Sequence, residues 1–208
     1  MNVQELLAKR RSVRYFDPAH DLDPGLLNSW IDGASRSPNG NNIQAVRYLH
    51  IRDRKLREEL LPAAAMQKPV TEASALLLVL GDYRAFEADN IRRIQAEGAA
   101  KGCFDEGTRQ MLEHAALGYY GGKSRAELGI ELTRDAALAS MSLLLLAAEA
   151  GYDALTMSGY DSRRLRSILK LPDRYMDIML IAIGKRIRAG HRTVRHPVER
   201  ILFTDRIE

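Results

Sequence analysis

Arg10, Ser12 and Arg14 stand at alternate positions near the start of the chain, within Arg10-Arg11-Ser12-Val13-Arg14-Tyr15-Phe16-Asp17-Pro18. In an extended segment alternate side chains point to one side. Two guanidiniums and a hydroxyl on one side make a cradle for a phosphate, which rewards forked, charge-assisted donors. The same residues also suit an ordinary solvated basic stretch, and spacing alone leaves both readings open. The loop Ser37-Pro38-Asn39-Gly40-Asn41-Asn42-Ile43-Gln44 is dense in amides. Asn and Gln carry donor and acceptor together, which is what the uracil-like edge of a flavin ring needs. An ordinary polar loop has the same composition. The third cluster is a small-residue turn, Thr156-Met157-Ser158-Gly159, at the end of a short apolar run.

These clusters need elements to place them. Val3, Leu6, Leu7 and Arg10 lie at helical spacing, so a short amphipathic helix over Val3–Lys9 leads into the arginine segment. Asp23-Pro24 reads as an N-cap and first-turn proline of a helix to about Arg36, with Trp30 in the core. Residues 47–51 read as a strand, Lys55–Leu61 as a surface helix, and Gln67–Val70 as a turn before a short helix. Ala75–Leu80 is continuously apolar, as a buried central strand requires. Residues 83–122 read as two polar helices. They could form a lid over a substrate, with Tyr119 and Tyr120 the candidates to touch it, or a helical hairpin with no catalytic part. The most apolar helix is expected from about Glu131 to Ala150. From Ala136 to Ala150 only Ser140, Ser142 and Glu149 are not apolar, and Gly151 is the left-handed stop. A strand at Ala154–Met157, a helix from Asp161 to about Leu169 and a strand at Ile178–Ile183 follow. Residues 185–208 read as a basic, extended tail lying on another surface.

Composition sets outer limits. The 208 residues suit one domain, 1–208. A single cysteine, Cys103, excludes an internal disulfide and suits a reducing cytoplasm. The opening Met1-Asn2-Val3-Gln4-Glu5 has no apolar signal core, and no stretch reaches the length of a membrane span. Glycine-rich nucleotide loops and H-E-x-x-H are absent and the histidines are scattered, so no metal site is expected. The net charge of +4 suits an anionic ligand. A basic tail could also bind nucleic acid, but aromatics are only 6%, too few for base-stacking to be well supported.

Taken in order, these pieces resemble the FMN-dependent nitroreductase family over nearly the whole chain. R-R-S-V-R-Y-F-D-P is similar to that family's phosphate-binding start. Residues 37–44 resemble its A-P-S-S-x-N-x-Q-P-W loop, and Gly151-Tyr152-Asp153…Ser158-Gly159-Tyr160-Asp161 its G-x-D segment. Ile183-Gly184-Lys185 and Arg195-His196-Pro197 are similar to its closing strand and C-terminal R-x-P. The resemblance implies an α+β fold, a mixed sheet flanked by helices, in an intertwined homodimer with FMN at the interface and NAD(P)H as donor. It implies that Arg10, Arg11, Ser12 and Arg195 hold the phosphate, and that Arg14 stands at the pyrimidine end near Gln67. Pro38, Asn39, Gly40 and Asn42 would come from the other subunit, and Thr156, Met157, Ser158 and Gly159 would line one ring face. No side chain is implied as acid or base. Two departures bear on the acceptor: Ala45-Val46 replaces Pro-Trp, and Thr156-Met157-Ser158 replaces Pro-Ile-x. A related flavin chemistry on the same fold (dehalogenation, flavin cleavage, dehydrogenation) is the alternative.

Overall fold

In the computed structural model, which describes residues 2–207, the chain runs α1 (Val3–Lys9), α2 (Pro24–Ser35), β1 (Val46–His50), α3 (Arg54–Leu60), α4 (Pro69–Glu72), β2 (Ala75–Asp82), α5 (Ala88–Ala100), α6 (Glu106–Tyr120), α7 (Arg125–Glu149), β3 (Asp153–Met157), α8 (Ser162–Leu169) and β4 (Tyr175–Gly184). The strands form one sheet in the order β1-β2-β4-β3, each adjacent pair antiparallel. The parallel component is a single bridge, Ser12 to Ala154, which lays the arginine segment along the β3 edge.

The central strand explains the layering. Every residue of β2 is buried, so its sequence has no polar alternation. Its two faces nonetheless go to two cores, because successive side chains alternate across a strand. Leu76, Leu78 and Leu80 pack on one side with Val13, Phe16, Leu60, Val70 and Leu165. Ala75, Leu77 and Val79 pack on the other with Trp30, Ala34, Ala136, Leu143 and Ala147. The sheet therefore sits between α3, α4 and α8 on one face and α2 and α7 on the other. A third cluster joins Ile43 and Ala45 to Phe86, Ile91, Ala116, Tyr120 and Leu132, and seats the α5–α6 hairpin. α2 and α7 approach closely at Gly33, where an added Cβ would stand 2.7 Å from Leu146 Cδ1.

The central helix starts six residues before the expected Glu131. Ser124 and Glu127 form a capping box, each side chain closing on the other's backbone N–H. The first two turns are charged, so the apolar run began later than the helix itself. The helix is also not buried all round. Leu132, Ala136, Leu143 and Ala147 face the core, whereas Leu138 is exposed and Met141 and Leu145 are half-buried. Gly151 takes φ +74° and ends it, as expected.

The tail begins by retracing the N-terminal segment. Asp17 N donates to Lys185 O, Ile187 N donates to Tyr15 O, and the backbone at Gly190 packs against Ser12. Beyond it, Val194, Val198, Ile201, Leu202, Phe203 and Ile207 are all exposed. No helix among the described residues is long and apolar enough to cross a membrane.

Candidate active site

Two segments far apart in sequence reach β3 at opposite ends, the arginine segment near its start and Gln67 at the turn past its finish. Val13 N donates to Ala154 O at 3.2 Å, beside the Ser12–Ala154 bridge. The parallel register carries Arg14 toward the Thr156 end of the strand. Val13 is fully buried, so it anchors the segment in the core and leaves its neighbours facing outward. From the other side Gln67 Nε2 donates to Gly159 O at 3.3 Å. Gln67 is presented by a strained approach, since Ala65 and Met66 both take left-handed backbones at φ +53° and +55°. The turn at Gly159 faces open space, where an added Cβ would meet nothing within 4 Å.

Neither the Arg10 nor the Arg14 guanidinium, nor the Ser12 hydroxyl, has a side-chain partner among the described residues. Arg11 differs: its Nη1 donates to Ala8 O at 2.6 Å and Arg10 O at 2.8 Å, which ties it to the C-terminal end of α1. Arg10 and Arg11 line a cavity of about 470 Å³ with Lys9, Lys185 and Arg186. Lys185 and Arg186 are held there by Gly151 O and Asp153. Arg195 lies five residues past Gly190, exposed, and bonds locally to Thr193 Oγ1 and Val194 O.

The amide loop sits elsewhere in the same copy. Pro38 and Asn39 line a separate cavity of about 110 Å³ with Gln44, Tyr48, Asp135 and Ala139. Not one of its residues lines the basic cavity. Asn41, Asn42 and Gln44 all have left-handed backbones, at φ +49°, +53° and +53°. The loop is held from three helices: Asp135 accepts from Gly40 N, Gln95 Nε2 donates to Asn41 O, and Asn41 Nδ2 donates to Tyr120 OH.

Sequence reasoning missed two buried carboxylates in this support, Glu131 and Asp135, one turn apart on α7. Glu131 accepts from Tyr119 OH at 2.8 Å and pairs with Arg134 at 2.6 Å and Lys123 at 3.4 Å. Burial works against its charge, but those three donors outweigh it and hold the carboxyl below the usual range. Burial pushes Asp135 the other way, above the usual range, with the Glu131 charge adding to it against the Gly40 N–H. The i, i+4 spacing of two acids inside an apolar helix was the available signal.

The two tyrosines differ in exposure. Tyr120 is 4% exposed and packs on Phe86, its hydroxyl turned to Asn41. Its ring lies in the core and its hydroxyl accepts from Asn41 Nδ2 in the amide loop. Tyr119 is half-exposed, tied to Glu131 with Lys123 over its ring. No group of three or more His, Cys, Asp or Glu side chains among the described residues could hold a metal ion.

An antiparallel sheet between helical layers, with two arginines at one edge that have no partner among the described residues, defines an α+β protein. Comparison with known proteins makes that class specific. The family model described as Nitroreductase family matches residues 7–185, and the chain belongs to that family. YodC of Bacillus subtilis, provisionally named an NAD(P)H nitroreductase, is 30% identical over 96% of this chain and 97% of its own. The CLA biosynthesis enone reductase of Lactiplantibacillus plantarum is 27% identical, covering 94% of this chain and 90% of that protein. A provisionally assigned nitroreductase of Exiguobacterium sibiricum, solved in complex with FMN, is 28% identical with a TM-score of 0.91, covering 99% and 98% of the two chains.

Proposed function

We propose that this protein is an FMN-dependent oxidoreductase that draws hydride from NADH or NADPH and passes the electrons to an electron-poor acceptor in ping-pong order. Nitroaromatics, quinones and activated alkenes are the acceptor classes. The observation that carries the reading is the run of Arg10–Arg14 along β3 through the Ser12–Ala154 bridge, which leaves the Arg10 and Arg14 guanidiniums without a partner among the described residues and sets Arg10 in a basic cavity of about 470 Å³. The donor set fits FMN. A dianion suits Arg10, Ser12, Arg11 and, from the tail, Arg195, while the amide of Gln67 suits a ring edge. Thr156, Met157, Ser158 and Gly159 would lie along one ring face. The named neighbours support the same chemistry, an NAD(P)H nitroreductase and an enone reductase by name and an FMN complex by structure.

FMN supplies the hydride chemistry when bound, and the protein supplies orientation and charge. Arg10 and Ser12 bind and orient. Arg14 places positive charge at the pyrimidine end, where negative charge collects on reduction, an electrostatic role that needs no proton transfer. The loop with Pro38, Asn39, Gly40 and Asn42 lines a different cavity from Arg10 in one copy. In our reading a second copy brings it to the flavin, in a homodimer whose seam includes the exposed side of α7 and the tail. The α5–α6 hairpin is the candidate lid.

The test is direct. Reconstituted with FMN, the protein should be yellow, NADH or NADPH should bleach it without oxygen, and a quinone or nitroaromatic should restore the colour. Protein that stays colourless after reconstitution would contradict the reading. A bound flavin that neither nucleotide reduces would move it to another flavin chemistry.

A further inference from the structure

Asp135 is a buried carboxylate with little to compensate it. It is 4% exposed, and its Oδ1 and Oδ2 stand 3.3 and 3.4 Å from Gly40 N. That amide is its only hydrogen-bond donor among the described residues, and it makes no salt bridge there. Glu131, one turn earlier, has three donors. A carboxylate offers about four lone-pair sites, so most of those on Asp135 go unused. An apolar residue of similar volume would cost the fold less at such a position.

What Asp135 does hold is the entry to an unusual stretch of backbone. Gly40 opens the stretch in which Asn41, Asn42 and Gln44 all adopt left-handed backbones. Asn tolerates that region, but a run of three such residues that includes Gln44 persists only where the surroundings hold it, and such runs gather at ligand clamps. Turn bonds from Asn42 N to Asn39 O and from Ile43 N to Gly40 O hold carbonyls rather than this amide, and Gln95, Tyr120 and Asn39 Oδ1 act further along, on Asn41 and Gln44 N. Asp135 alone holds the amide at the start of the stretch.

We propose that Asp135 is a positioning residue: from the central helix it fixes the Gly40 amide, and through it the face that the Asn39–Asn42 loop turns to the flavin of a second copy. This rests on the reading that the loop contacts flavin. It is separable from stability, because replacing the carboxylate with an apolar side chain removes the acceptor while relieving the buried charge.

The experiment compares wild type with Asp135→Leu, Asp135→Ala and Asp135→Asn. FMN affinity is read by fluorescence and the set of the bound ring by visible circular dichroism, with melting temperature and oligomeric state beside them. Asp135→Leu should melt no lower than wild type yet bind FMN about tenfold more weakly with an altered dichroism band. Asp135→Asn keeps an oxygen acceptor and should restore affinity to within about twofold. If Asp135→Leu binds FMN as wild type does, or if Asp135→Asn loses as much affinity as Asp135→Leu, the assignment is overturned. If Asp135→Leu fails to fold, Asp135→Ala set against Asp135→Asn decides by the same difference in affinity. Wild-type protein that binds no FMN would sink the function itself, whereas wild type that binds and an Asp135→Leu variant that matches it would sink this assignment alone.

Discussion

Arg10 and Arg14 are the residues on which the ligand reading turns, since neither guanidinium spends a donor on the protein. Charge-assisted hydrogen bonds contribute about 1.5–3 kcal/mol each. Arg10→Ala should therefore weaken FMN binding by at least tenfold, with the melting temperature of the FMN-free protein unchanged, as measured by fluorescence titration and thermal unfolding. Arg14→Ala should lower the reduction potential of bound FMN more than it lowers FMN affinity, because its charge favours the reduced form. A potentiometric titration with no shift would remove that role. Glu131 permits a pH prediction. Its carboxyl lies below its ordinary value in the folded state, so the stability it supplies is present above the unfolded value of about 4.3 and lost as pH falls through the folded value. Glu131→Gln should melt well below wild type at neutral pH, and the gap should close in acid. The alternation at 10, 12 and 14 was legible from sequence because strand periodicity needs no tertiary information. The retention of Arg11 by α1, and the burial of Tyr120, were not, because both depend on where one helix end meets another element.

At the scale of elements, α7 does two jobs. Its inner side closes the core on one face of the sheet through Leu143 and Ala147, and Leu143→Ala should cost about 2–5 kcal/mol, read from denaturant unfolding. Its outer side carries Leu138, Met141 and Leu145 at helical spacing, incompletely covered in one copy. Leu138→Glu should dissociate the proposed dimer, seen as halved mass in light scattering, with little change in secondary structure. A variant that keeps its mass would place the seam elsewhere. Expected strand positions agree with β1 to β4 to within a few residues, since β2 and β4 are nearly unbroken apolar runs bounded by turns. The start of α7 was less legible, because its capping box lies in a charged stretch that resembles the solvated hairpin before it.

The whole molecule has its functional pieces in two places. The arginine segment runs along the β3 edge, and Gln67 bonds the turn past that strand's end. The amide loop lines a different cavity, and six large apolar residues of the tail stay exposed from Val194 to Ile207. The homodimer we propose would complete the site, each surface meeting the other's complement across a two-fold axis. Sequence order alone could suggest this only through family resemblance, because no spacing within one chain distinguishes a site closed by its own loop from one closed by a neighbour's.

Subunit complementation tests that claim most directly. One variant carries Arg10→Ala, which disables the phosphate cradle, and the other carries Asn39→Ala and Asn42→Ala, which disable the loop. Each alone should be nearly inactive in NAD(P)H-dependent quinone reduction. Unfolded together and refolded as a mixture, they should recover about a quarter of wild-type activity, because half the dimers are mixed and each mixed dimer has one intact site. A mixture no more active than its components would contradict the account, since a site built within one chain gains nothing from a partner.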